Sequence, residues 1–271
     1  MTRRTVALGV SAVVLVASLA SAQFRRLGDT SIEAHRARPD SFDGRFHYCR
    51  AVYRPNPRGD GGSWLTDYPL ADIDLSIRLS ELTKINVAFD APGQPRHLIV
   101  SLTDEELFQC PVIIMQEVGR LLFTREDAAK LRTYLLKGGF LWVDDFWGSY
   151  AWEIWETEIR KVFPETAEYP IFDVPRSHPM YHTMFDLEGV PQIPGIGTFL
   201  RGQTSERGAD SAVVHVRTIA DKQGRSMVFM THNTDVSDSW EREGEDPNYF
   251  RQFSVEGYRL AVNVILYAMT H

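Results

Sequence analysis

The sequence predicts an α/β protein in which a mostly parallel sheet lies between helix layers. Three observations predict it. Segments of strand and helix character alternate through the first two-thirds of the chain, as in a series of βαβ units. Two strand runs, PVIIMQ (Pro111–Gln116) and FLWVDD (Phe140–Asp145), are apolar at consecutive positions before their polar ends, the mark of strands covered on both faces. A chain of 271 residues with 44% hydrophobic content is long enough to bury one sizeable core.

The N-terminus is set apart from this fold. MTRR is a short positive start, Val6 to Ala20 is apolar or small throughout, and Ala20 and Ala22 offer the small side chains a signal peptidase reads. This pattern predicts a secretory signal peptide over 1–22, cleaved before Gln23. A retained N-terminal anchor is the alternative, although the run is short for a span of roughly 20 apolar residues. The protein is therefore expected to be exported, periplasmic or secreted, with membrane contact only if the segment stays uncleaved. Residues 23–43, polar and Arg-rich, read as an extended linker before a single domain over 44–271.

Within that domain, RFHYCRAVY (Arg45–Tyr53) alternates like a strand. RPNPRGDGGSW is too rich in Pro and Gly to be regular. Leu75, Leu79 and Leu82 recur at helical spacing over Leu70–Thr83. INVAF and HLIVSL are short strand candidates, and Thr103 to Glu106 forms a capping-box pattern that starts a short helix. Thr124 caps a helix through Lys137, with Ala128, Leu131 and Leu135 on one face and Gly138 at its stop. A further helix over Tyr150–Phe163 carries Trp152, Trp155, Ile159 and Val162 together. After Pro164 the chain turns irregular to residue 210. SAVVHVRTI and RSMVFMTH then read as a strand pair, DVSDSWEREGEDPNYFRQF as an acidic loop, and Val255–Thr270 as a largely buried helix.

Composition narrows the function. The net charge is −7 and no dense Lys/Arg cluster appears, so a nucleic-acid partner is not expected. Two cysteines, Cys49 and Cys110, do not make a disulfide scaffold. Buried free thiols are the preferred reading, since free Cys is among the most buried residue types; a bond between them is the alternative.

In open parallel sheets, ligands bind beyond the carboxyl ends of the strands. Asp144 and Asp145 stand at such an end. Successive strand side chains diverge, so one acid is expected to face the crevice while the other holds the loop or the next helix. THNTDVSDSWE begins where another strand ends, and brings His232, Asn233, Asp235 and Asp238. Asp144, His232 and Asp235 form a mixed nitrogen and oxygen set that a divalent metal would accept. Asp145 or Glu117 would then serve as base for a metal-bound water. The bland reading is a loop whose Asn and Asp bond their own backbone. Phe146, Trp147 and Trp64 are candidates for stacking on a sugar, or else pack loops on the sheet edge. His178 and His182 lie four apart in RSHPMYH, where a short capped turn is the preferred reading and ligand binding by His178 the other. No nucleophile elbow, phosphate-cradling loop or zinc helix is present.

YPLADIDLSIRLSELTKINV, FTREDAAKLRTYLLKGGFLWVDDFWG, FPE before SHPMYH, and HNTDVSDSW before GYRLAVNVILYAMTH together resemble the bacterial family called domain of unknown function 4159. The resemblance runs from about Phe46 to the C-terminus. It implies a class I glutamine-amidotransferase-like fold, a flavodoxin-like three-layer sandwich. It implies no amidotransferase activity, because the elbow after PVIIM lacks the catalytic Cys. The resulting expectation is an exported domain that binds a ligand or cell-envelope partner, such as a carbohydrate, at the rim of the sheet. A metal-assisted hydrolase is the alternative.

Overall fold

A computed structural model describes residues 35–271; the expected signal peptide and residues 23–34 of the expected linker lie outside the described residues. The main sheet has seven strands: β1 (Tyr48–Val52), β2 (His97–Ser101), β3 (Val112–Gln116), β4 (Phe140–Asp144), β5 (Phe172–Asp173), β6 (His215–Ala220) and β7 (Ser226–His232). Their spatial order is β2-β1-β3-β4-β7-β6-β5. The first five in that order run parallel, and β6 and β5 add an antiparallel edge. The order β2-β1-β3-β4 and then one more parallel strand is the flavodoxin-like arrangement.

The apolar runs of β3 and β4 behave as strands covered on both faces. Ile113, Met115, Leu141 and Val143 point to one side with Val228 and Met230. There they meet α2 (Arg125–Leu136) and α3 (Gly148–Val162) through Leu131, Leu135, Trp155 and Ile159. Ile114, Phe140, Trp142 and Phe229 point to the other side, against α1 (Leu70–Leu82) and α4 (Val255–Thr270). Successive strand side chains alternate faces, so each strand feeds two cores and the three layers follow.

Local signals set the helix limits. Thr124 accepts from Asp127 N while Asp127 reaches back to Thr124 N, which starts α2. Gly138, at φ 107°, turns the chain out of α2 in a conformation that side chains resist. Part of the expected lead-in packs on the sheet: Ala37 is buried and its N–H donates to Ile99 O.

Three expectations are corrected. Cys49 and Cys110 form a disulfide, with sulfurs 2.03 Å apart. Cys49 on β1 lies beside Ile113 on β3, so Cys110, just before β3, falls within bonding distance. The acidic stretch after β7 is not an open loop. Asp238–Glu241 and Pro247–Tyr249 are helical turns, and a π-helical turn over Phe250–Ser254 leads into α4. The acids cap them: Asp235 accepts from Asp238 N, and Asp246 from Asn248 N and Tyr249 N. The short helix expected from Thr103–Glu106 does start there, as a 3-10 helix over Glu105–Gln109, but without the expected capping box: its N-cap is Asp104, whose side chain accepts from Ser101 N.

Candidate metal centre

Gln116, Asp144 and His232 end β3, β4 and β7, three neighbours in the sheet. The backbone joins the segments that follow: Glu117 N donates to Asp144 O and Asp145 O, and Asn233 N to Phe146 O. The acids after β4 and the loop after β7 therefore share one mouth. Among the described residues, four that are not glycine have positive φ: Asp67 (62°), Glu117 (54°), Asp145 (54°) and Asn233 (63°). All four stand at this mouth. The left-handed conformation costs a side chain roughly 1–2 kcal/mol, and such outliers collect at functional sites.

Asp144 holds the loop. It accepts from Thr231 Oγ1 at 2.6 Å, Ser237 N at 2.9 Å and Ser237 Oγ at 3.0 Å. Asp145 is swung by its left-handed backbone toward other carboxylates. Asp67, Asp145 and Asp235 each place a carboxylate oxygen within 4.8 Å of the other two, and Asp67, Asp238 and Glu241 do the same. The donors that reach the first trio are neutral: Ser237 Oγ to Asp67 and Asp235, Trp147 Nε1 to Asp145, and Asp238 N to Asp235. Ser237 Oγ lies 3.2, 3.0 and 3.1 Å from Asp67, Asp144 and Asp235, yet a hydroxyl donates one hydrogen.

The electrostatics follow from burial. Burial, then the Asp238 carboxylate, pushes Asp67 up to about 7. Burial raises Asp144 to about 6 and Asp238 to about 7. Asp145 and Asp235 rise well above the carboxylate range, through burial first and neighbouring carboxylates second. Arg242 pairs with Asp238 and Glu241, whereas among the described residues no cation pairs with the acids of the first trio, which are costly as anions, by several kcal/mol each. A hard divalent cation, which takes carboxylate oxygens as ligands, removes that cost.

A family model described as a domain of unknown function (DUF4159) matches residues 50–269. The chain belongs to this family. No curated protein matches it.

Of the residues expected at the DUF4159 site, Asp144, Asp145 and Asp235 do converge, with Asp144 bracing the loop. His232 joins neither trio. Its Nε2 donates to Gly148 O, and its ring stacks on Phe146 at 4.7 Å and His215 at 5.8 Å. Burial lowers it to about 4. Asn233 braces backbone, accepting from Gly148 N and donating to Val213 O. Phe146 and Trp147 are 1% and 3% exposed, so neither is a platform open to a sugar. Glu117, raised to about 7 mainly by burial, lies under the loop after β1. A Cβ on Gly61 would fall 2.0 Å from Glu117 Oε2, which explains glycine there. His178 sits at the far end of the sheet, bonded to Ser226 at the start of β7 and to Met180 N. His182 is exposed beside Asp186.

Sequence reading missed Asp67, Glu241 and the hub residue Ser237. One signal was present: Asp235, Asp238 and Glu241 recur every three residues, the spacing of one helical face. Asp67 carried none, because it comes from a loop far away in sequence.

Proposed function

We propose that this domain binds a divalent cation through Asp67, Asp145 and Asp235, and through that cation an oxygen-rich ligand, such as an envelope carbohydrate. The observation that carries this reading is the meeting of three buried carboxylates whose hydrogen-bond donors among the described residues are all neutral. The all-oxygen set suits Ca²⁺ or Mg²⁺ better than a soft metal. Cover of Glu117 by the glycine loop favours binding over hydrolysis, because a base must reach the attacking water. Export fits the Cys49–Cys110 bond, since disulfides persist in oxidising compartments. No helix among the described residues is long and apolar enough to cross a membrane.

Thermal unfolding of chelator-treated protein tests the proposal. Ca²⁺ or Mg²⁺ at about 100 times its Kd should add about 2.7 kcal/mol, which raises Tm by roughly 5–10 °C. Asp235→Asn should abolish that gain. A wild-type protein indifferent to Mg²⁺, Ca²⁺, Mn²⁺ and Zn²⁺ would remove the reading.

A further inference from the structure

The loop that carries Asp67 and the end of β3 are both tied to one buried cation, Arg50. It is 1% exposed and lies on β1, next to β3 at the point where strand order reverses. Its guanidinium takes Asp72 on one side, Nε at 2.9 and 3.1 Å from the two oxygens and Nη2 at 2.5 Å. On the other side Nη1 donates to Trp64 O at 2.9 Å, Thr66 O at 2.8 Å and Gln116 Oε1 at 3.2 Å. Thr66 O belongs to the peptide that enters Asp67. Gln116 Nε2 passes the connection on to Ser237 Oγ, which touches Asp67, Asp144 and Asp235.

We infer that Arg50 is the positioning residue of this site, fixing Asp67 against Asp145 and Asp235 through its bonds to the 64–66 carbonyls and the Gln116–Ser237 relay. The inference rests on the cation reading above. Asp67 is the one member of the trio that comes from a loop before α1, outside the segments after β4 and β7. A loop residue needs an external brace to hold ligand geometry, and a planar fork of five donors supplies it where a lysine would not. Arg50 touches none of the proposed ligand oxygens, so its effect passes through backbone and relay.

Charge and geometry predict opposite signs, which makes the inference testable. Loss of a buried positive charge near the carboxylates would, by Coulomb's law alone, tighten cation binding. Loss of the brace loosens it. The probe is Tb³⁺, a stand-in for Ca²⁺, read by luminescence sensitised from Trp147, whose indole bonds Asp145. Arg50→Met should raise the Tb³⁺ Kd at least about 10-fold in protein that is folded by circular dichroism. Asp72→Asn removes the ion pair but leaves the bonds to Trp64, Thr66 and Gln116, so its Kd should stay within about 3-fold of wild type even where stability falls. Gln116→Met changes no charge and cuts only the relay; it should weaken binding several-fold and serves if Arg50→Met does not fold. Equal or tighter binding in Arg50→Met, or in Gln116→Met when that variant stands in, overturns the inference and leaves the cation site intact. Wild-type protein that takes up no Tb³⁺ overturns both.

Discussion

Asp145 combines three unfavourable features: a left-handed backbone, full burial and acidic neighbours. Each is tolerable if the residue is selected for binding instead of stability. Asp145→Asn keeps an oxygen for Trp147 Nε1 and discards the charge. It should therefore stabilise cation-free protein at pH 7.5 by about 1–3 kcal/mol, in urea unfolding, while losing the response to Ca²⁺. A destabilised variant would show that the carboxylate is already satisfied in the apo protein. Thr124→Ala is the contrasting case. It removes an ordinary helix cap, and should cost about 1 kcal/mol with cation binding unchanged.

Elements were legible where one local signal sufficed. The spacing of Leu75 and Leu79, the Thr124 cap and the apolar run of β3 each needed only neighbours in sequence, and α1, α2 and β3 formed where expected. Elements that depend on distant partners were not. The stretch after β7 reads as a loop because its acids show no helical apolar face, whereas they bond backbone N–H groups at the starts of helical turns. Cys49 and Cys110 looked independent because their meeting requires β1 to lie beside β3. The same blindness hid Asp67, while Asp144 and Asp145 were visible as strand-end acids. Reducing the disulfide, or Cys49→Ser with Cys110→Ser, should lower stability by about 2–5 kcal/mol, since it frees a loop of 61 residues. Unchanged urea midpoints would show that the bond constrains little.

Across the whole molecule, stability should follow pH in a direction set by the mouth. Folded-state values near 7 for Asp67, Glu117 and Asp238 exceed those of the unfolded chain. Their contribution is full below about pH 4 and is lost as pH rises through about 7. His232, held near 4, works the other way, since its contribution is lost as pH falls below 6.5. The interval from pH 6.5 to 8 thus isolates the carboxylates. Cation-free protein should lose on the order of 1 kcal/mol per group across it, and saturating Ca²⁺ should flatten the slope. A flat cation-free profile would mean that these acids are already ionised below pH 6.5 in the folded protein, so that burial does not raise them.

The two-residue β5 at the margin of the main sheet has a consequence for behaviour at high concentration. Its pairing with β6 spans only Phe172 and Asp173, with one more backbone bond from Val174 N to Val216 O. A border so brief, carrying a charge, is a poor template for adding strands from another molecule. Strand addition at this margin should accordingly be disfavoured even in crowded solutions.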